Sequence, residues 1–143
     1  MILLDTNVVS ELRQRRGGPD PQVMAWLTEQ DEEATFLSAM TVLELERGML
    51  LLERRDADQG QRLRLWWEAA ILPRFSARIL PVGAEIARVA ARLHVPDPRP
   101  EIDALISATA LVHGLMLATR NVRDFAGTGV RLVDPWAYGT ASQ

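Results

Sequence analysis

The sequence contains no cysteine and no lysine, and both absences narrow what the protein can be. Without cysteine, a disulfide framework, a thiolate metal site and a cysteine nucleophile are excluded, and a cytoplasmic location is expected. All 16 basic residues are therefore arginine, whose planar fork of donors suits phosphate. The net charge of −3 argues against nucleic-acid binding through global electrostatics but leaves local basic patches open.

Long apolar runs are also missing. No segment approaches the ~20 apolar residues of a membrane span, and Asp5 interrupts an apolar start that lacks the basic segment of a signal peptide. The 48% hydrophobic and 24% charged residues are typical of a globular protein. At 143 residues we expect one domain, spanning residues 1–139, with fraying from Tyr138 and a frayed tail at 140–143.

Short apolar segments alternate with amphipathic ones along the chain. This alternation predicts an α/β fold with a parallel sheet and helices on both faces. The predicted strands are 2–4, 34–37, 78–82, 115–118 and 130–133. The predicted helices are 8–15, 22–29, a long one capped by Ser38, one from 59 that stops at Pro73, 84–93 and 101–113, with a helical turn at 122–125.

Four carboxylates lie near the beginnings of predicted helices. Asp5 follows the first strand, Glu44 is in the second turn of the helix after strand two, Asp103 is in the first turn of its helix, and Asp124 follows strand four. In a parallel sheet the carboxyl ends of the strands share one edge, where ligands gather. We therefore expect these four acids to converge.

Each acid also has a purely structural interpretation, and the residues alone leave both open. Helix capping and the helix dipole favour acidic and hydroxyl side chains at helix starts. The structural alternatives are an N-cap at Asp5, a Thr41–Glu44 capping box that holds only if Ser38 is not the cap, a dipole contact at Asp103 and a capping pair of Asn121 with Asp124.

Taken together, the four acids favour a metal site. Converging carboxylates repel one another, and their pKa values rise unless a cation shares the site. Carboxylate oxygens are hard ligands that suit Mg²⁺ or Mn²⁺. Such ions support displacement at phosphorus, singly or as a pair. The chemistry indicated is phosphodiester hydrolysis without a protein nucleophile.

Four motifs in series resemble those of PIN domains, and more narrowly those of VapC-type toxins of type II toxin–antitoxin pairs. The FitB-like branch is the most similar, through two further segments. The matching motifs are Asp5-Thr6-Asn7, Thr41-x-x-Glu44-Leu45-x-x-Gly48, Asp103-Ala104-Leu105-Ile106-x-Ala108-Thr109-Ala110 and Ala118-Thr119-Arg120-Asn121-x-x-Asp124-Phe125, and the two further segments are Ile71-Leu72-Pro73 and Asp134-Pro135-Trp136.

The resemblance implies a PIN-like three-layer α/β/α sandwich with four to five parallel strands. It implies a Mg²⁺- or Mn²⁺-dependent endoribonuclease that acts as a toxin and is neutralised by a cognate VapB- or FitA-like antitoxin. Operator DNA would be bound only through the antitoxin. A homodimer is implied, with a higher hetero-oligomer when the antitoxin is present.

The resemblance also assigns roles by motif. Asp5 and Asp103 would be the principal metal ligands, completed by Glu44, directly or through water, and by Asp124, with Asn121 the rival for that fourth position. Other polar residues would orient the ligands or phosphate, and arginines would contact RNA. The orienting residues are Thr6, Asn7, Thr119 and Asn121, and the substrate-binding arginines are Arg13, Arg15, Arg16 and Arg120.

Several assignments keep a competing interpretation. The arginines near the end of the first helix are equally well explained as a solvated helix end, and Arg120 as a partner of Asp124. Histidines 94 and 113 are interpreted as helix-end residues. Trp66 and Trp67 point about 100° apart on a helix, so one is expected in the core and the other exposed. The resemblance implies that helices in this region line a groove for the antitoxin, and core packing is the competing, default interpretation. Functionally, the alternatives are a PIN-fold binding module in a DNA-bound repressor complex and a PIN nuclease that is not a toxin.

Overall fold

The computed structural model describes residues 1–13 and 17–139. Arg15, Arg16 and the predicted tail at 140–143 lie outside the described residues. Five strands form one all-parallel sheet in the order β3-β2-β1-β4-β5, which confirms the predicted α/β sandwich. The strands are β1 (Ile2–Leu4), β2 (Thr35–Ser38), β3 (Ile79–Leu80), β4 (Met116–Ala118) and β5 (Leu132–Val133).

Seven α-helices connect and cover the strands of the described chain. None of the described helices is long and apolar enough to cross a membrane. The helices are α1 (Thr6–Glu11), α2 (Pro21–Thr28), α3 (Ala39–Arg55), α4 (Ala57–Trp66), α5 (Leu72–Phe75), α6 (Ala84–Leu93) and α7 (Glu101–His113), with 3-10 turns at Glu32–Ala34, Ser76–Arg78, Val122–Phe125 and Pro135–Ala137.

The central strand β1 divides the core into two layers. Successive side chains of a strand point to opposite faces of the sheet. Leu4 packs with Val8 and Leu37 on one face, whereas Leu3 packs with Ile106 on the other. Helices therefore bury apolar side chains against both faces, and the sheet is the middle layer of three.

Several element ends differ from the predicted ones, and two of these differences concern the end of a helix and the end of the chain. The helix predicted to stop at Pro73 continues: a π-helical segment, Trp67–Ile71, leads into α5. Pro73 lies in the first turn of α5, where a missing N–H costs no helical hydrogen bond. Fraying from Tyr138 is also wrong for that residue, because its carbonyl accepts a hydrogen bond from Nε2 of Gln22 at 2.9 Å.

A single arginine fixes the proline-rich connection that leads into α7. Nε of Arg99 donates to the carbonyl of Leu93 at 3.2 Å, and Nη1 donates to that of Ala126 at 3.1 Å. His94, the C-cap of α6, accepts the Arg99 backbone N–H on Nδ1 at 3.1 Å. These contacts hold the start of α7, and with it Asp103, against the rest of the fold.

Candidate active site at the carboxyl edge of the sheet

Asp5 lies where the central strand meets α1. Its Oδ1 accepts the Thr6 backbone N–H at 2.8 Å, which makes Asp5 the N-cap of α1. Its Oδ2 accepts the Thr119 hydroxyl, also at 2.8 Å. Burial raises the pKa of Asp5, the two hydrogen bonds lower it, and the charges of Glu44 and Asp124 raise it again. Asp5 is thus a helix cap and a member of an acidic cluster at once.

Glu44 is tied to the same edge through Thr6. The Thr6 hydroxyl donates to Oε1 of Glu44 at 2.6 Å and lies 3.2 Å from Oγ1 of Thr41. The N-cap of α3 is Ser38, whose hydroxyl accepts the Met40 N–H at 3.0 Å. The capping-box interpretation of Thr41 and Glu44 is therefore wrong, because the helix begins at Ala39, two residues before Thr41.

Asp103 is in the first turn of α7 and only partly buried. Burial, and then the negative charges of Asp5, Asp124 and Glu44, raise its pKa to about 6. Asp5 and Glu44 line the same cavity as Asp103, and the repulsion between carboxylates grows as their distance falls. The four predicted acids therefore form one electrostatically coupled cluster.

A polar network surrounds Asp5. Nδ2 of Asn7 lies 3.4 Å from both Oδ2 of Asp5 and Oγ1 of Thr119, and its Oδ1 accepts the Arg120 backbone N–H at 3.3 Å. The Asn121 backbone N–H donates to the Thr119 hydroxyl at 3.0 Å. No capping hydrogen bond comes from the Asn121 side chain, so that capping interpretation is wrong and Asn121 joins the network through its main chain.

A cavity of about 460 Å³, the acidic pocket, opens at this edge. Asp124 lines an adjoining depression of about 270 Å³ that shares Arg120 with the pocket. Asp124 therefore lies beside the acidic pocket, and its negative charge contributes to the raised pKa values of Asp5 and Asp103. The acidic pocket is lined by Asp5, Thr6, Asn7, Ser10, Glu11, Glu44, Asp103, Arg120, Asn121 and Trp136.

Three of these lining residues were not among the predicted site residues: Ser10, Glu11 and Trp136. Glu11 is 8% exposed, and its Oε1 accepts the Asp20 N–H at 2.7 Å. A signal for Glu11 was present, because it follows Asn7 by four positions and shares its helix face. No such local signal marks Trp136, because it lies near the C-terminus, far in sequence from the pocket residues of α1.

Two of the predicted substrate-binding arginines are among the described residues, and they line different cavities. Arg120 lines the acidic pocket. Its predicted alternative, pairing with Asp124, is not observed: no ion pair joins Arg120 to a carboxylate in the described part of the chain. Arg13 instead lines a second cavity.

This second cavity, the helical groove, has a volume of about 510 Å³ and lies between α1, α3 and α4. It shares Thr6, Ser10 and Glu44 with the acidic pocket. Trp66 lines it, whereas Trp67 is 1% exposed and donates from Nε1 to Glu46 at 2.7 Å. One tryptophan is therefore core and the other a groove wall. The remaining lining is apolar and basic: Arg13, Leu45, Arg47, Gly48, Leu51, Leu52, Arg55 and Leu63.

The donors in the acidic pocket suit a hard divalent cation. The carboxyl groups of Asp5 and Asp103 have raised pKa values and lie with Glu44 in one pocket, and a cation there would offset their mutual repulsion. Within residues 1–13 and 17–139, no three Asp, Glu or His side chains are placed to hold one ion together. Asp5 and Asp103 would supply the one or two carboxylates that Mg²⁺ typically takes alongside several waters.

A parallel α/β sandwich with an acidic pocket beyond its strands defines the class of molecule. The chain matches the PIN domain over residues 2–130, and it belongs to the PIN-domain family. It is 36% identical over 144 residues to the VapC ribonuclease Y4jK of Sinorhizobium fredii, covering 95% of this chain and 98% of the relative. To Toxin FitB of Neisseria gonorrhoeae it is 40% identical over 141 residues, covering 95% and 99%.

A solved structure agrees with these sequence relatives. The structure of FitAB bound to the IR36 DNA fragment contains a chain that matches with a TM-score of 0.84 and 35% identity, covering 95% of this chain and 96% of that one. The likeness extends over nearly the entire described fold, which includes the sheet edge that carries the acidic pocket.

Proposed function

We propose that this chain is a divalent-metal-dependent endoribonuclease and the toxin of a type II toxin–antitoxin pair, acting in the cytoplasm. The observation that carries the proposal is the acidic pocket at the carboxyl edge of the sheet, lined by Asp5, Glu44 and Asp103 with Asp124 beside it. The names of two relatives, a VapC ribonuclease and a toxin, support the choice of RNA as substrate and of toxicity as outcome.

In this proposal Asp5 and Asp103 hold a Mg²⁺ or Mn²⁺ ion. Glu44 and Asp124 contribute charge, directly or through water. The bound ion would supply a positive charge that acidifies water and offsets the charge developing on the phosphate. Water and substrate phosphate are expected to complete the coordination, as is typical of Mg²⁺.

The protein's own part is to fix the carboxylates before the ion arrives. The Thr119 hydroxyl and Nδ2 of Asn7 contact Oδ2 of Asp5, and the Thr6 N–H occupies one lone pair of Oδ1. These contacts orient the carboxylate and leave a lone pair of Oδ1 for a cation. The Thr6 hydroxyl holds Glu44 in the same way. Replacing a residue that orients a metal ligand typically lowers metal affinity or activity about 10- to 100-fold.

The helical groove supports the proposal of a protein partner. It is apolar, edged by Arg13, Arg47 and Arg55, and continuous with the acidic pocket through Thr6 and Glu44. An amphipathic segment of an antitoxin would fit it, since such segments bury apolar anchors in grooves of this kind. FitAB, the matched complex, is bound to DNA, and we propose that this chain likewise reaches operator DNA only through its antitoxin. We propose a homodimer as the free form.

The test compares the unmodified protein with Asp103→Asn. Growth arrest on expression and cleavage of RNA by the purified protein are measured, with Mn²⁺ or Mg²⁺ and with a chelator. We expect metal-dependent cleavage that falls at least about 100-fold in Asp103→Asn, since a ligand carboxylate becomes a neutral amide. Asp97→Asn removes an exposed carboxylate outside the pocket and serves as the matched control.

Three outcomes would redirect the assignment. Equal cleavage by Asp103→Asn and the unmodified protein would exclude the acidic-cluster mechanism. No cleavage by either, with several metals and RNAs, would favour the binding module in a repressor complex. Cleavage without growth arrest would favour a PIN nuclease that is not a toxin.

A further inference from the structure

Arg120 and Trp136 form a cation–π pair at the rim of the acidic pocket. The guanidinium carbon of Arg120 lies 5.3 Å from the centroid of the Trp136 ring, and both side chains line the pocket. The pair thus places an aromatic face and a positive charge beside Asp5, Glu44 and Asp103. Neither feature is needed to hold those acids.

The backbone of Trp136 is fixed by a short turn. Oδ1 of Asp134 accepts the Trp136 backbone N–H at 2.9 Å, and the buried Pro135 begins the same 3-10 turn. The partly buried ring packs against the core layer that contains Leu4 and Trp26. One part of the ring therefore rests on the core while another part lines the pocket, which is the arrangement of a fixed platform.

Arg120 is held in place through its main chain, and its guanidinium contacts the Trp136 ring. Its backbone N–H donates to Oδ1 of Asn7 at 3.3 Å, next to the Thr119 that contacts Asp5. Its side chain is exposed, and among the described residues no carboxylate forms an ion pair with the guanidinium. A basic group without an acidic partner, beside four acids, is suited to an anion that enters the pocket.

From this geometry we propose that the Arg120–Trp136 pair binds the nucleotide next to the cleaved bond in single-stranded RNA. The base stacks on the indole–guanidinium pair, and the guanidinium N–H groups hold the adjoining phosphate. The inference rests on the proposed nuclease function and extends it to a choice of substrate. In a duplex the base is already stacked and paired, so the pair selects unpaired RNA.

The test measures binding rather than cleavage, in the full chain carrying Asp103→Asn. A short unstructured RNA labelled with fluorescein and the same RNA annealed into a duplex are titrated by fluorescence anisotropy. We expect Arg120→Gln and Trp136→Leu each to weaken single-strand binding about tenfold, and Trp136→Phe by no more than about threefold, because phenylalanine retains a stacking face. Arg131→Gln replaces an exposed arginine just before β5; it is the matched control and should bind as the parent does.

A second readout separates contact from structure. Quenching of tryptophan fluorescence by the RNA should disappear in Trp136→Phe while thermal unfolding stays close to that of the parent. Parent-like binding by Arg120→Gln, an equal loss in Arg131→Gln, or no preference for single-stranded over duplex RNA would each overturn the proposal. If the unmodified protein does not cleave RNA but these binding differences appear, the nuclease assignment fails and the binding site stands.

Discussion

The Thr119 hydroxyl donates to Oδ2 of Asp5 at 2.8 Å, joining the ends of two neighbouring strands across 114 positions of sequence. Thr119 has no solvent exposure and Asp5 has 6%, so the bond is shielded from bulk water. The same hydroxyl oxygen accepts the Asn121 N–H. One threonine therefore sets the orientation of the acid at the centre of the pocket.

Thr119→Val should lower RNA cleavage by about 10- to 100-fold while the fold is kept. Valine matches threonine in shape but cannot donate to Asp5, and loss of such an orienting bond typically costs that much in metal affinity or activity. The measurement is kcat/KM as a function of Mn²⁺ concentration, which should reveal a raised metal requirement.

Thr119→Ser is the matched control, since it keeps the hydroxyl and removes only a methyl group. It should retain most of the activity and the ordinary metal requirement. If the valine variant showed the same metal dependence as the unmodified protein, the Thr119 bond would have no role in ion binding.

Asp103→Asn should stabilise the metal-free protein near pH 7 but not near pH 4. The carboxyl has a pKa of about 6 in the fold against 3.8 ordinarily. Below about 3.8 it is neutral whether the chain is folded or unfolded, so folding carries no penalty. As the pH rises through about 6, the unfolded chain ionises more readily and stability is lost. Asparagine cannot ionise, so its variant escapes that loss.

The gain is expected to be about 1 kcal/mol near pH 7, since Asp103 is only partly buried and solvent screens its charge. For a chain of this size that corresponds to about 2–4 °C in Tm. The measurement is thermal unfolding of both proteins in chelator across this pH range. A constant difference in Tm at every pH would show that the charge of Asp103 is not the cause.

Gly60→Ala should destabilise the fold by about 1–3 kcal/mol or more. A Cβ at position 60 would lie 2.5 Å from the backbone Cα of Glu53 and 2.8 Å from its nitrogen. These atoms cannot move without separating α3 from α4, which together wall the helical groove. Chemical denaturation of the variant and the unmodified protein gives the difference.

Gly48→Ala is the opposite case on α3. A Cβ there would meet nothing within 4 Å, and alanine restricts the unfolded chain, so a gain of about 0.5–1 kcal/mol is expected. The two substitutions make the same chemical change, and their effects on the free energy of unfolding should have opposite signs. A shared sign would show that the α3–α4 contact does not decide the effect at Gly60.

The sequence allowed the sheet edge to be predicted because each acid follows a strand or begins a helix. Asp5 after an apolar run, and Glu44 and Asp103 in early helical turns, are positions that topology alone brings together. The first helix begins earlier than predicted, at Thr6, because Asp5 caps it. Ser38 as the cap of α3 was also readable from its place before an apolar helical pattern.

Other features depend on packing that no local pattern records. Trp136 reaches the pocket because a short turn after β5 folds toward α1. The helix continues past Pro73 because a π-helical segment, Trp67–Ile71, leads directly into α5. The position of Asp124 beside the pocket depends on the 3-10 turn at Val122–Phe125, whose orientation follows from the tertiary fold.

The pairing of β1 with β4 also has a consequence in time. At synthesis rates of about 5–20 residues per second, the 114 positions between Asp5 and Thr119 take roughly 6–23 s to translate. Until then Asp5 has no hydroxyl to orient it, and Asp124 does not yet exist. A nascent or prematurely terminated chain therefore lacks a complete pocket.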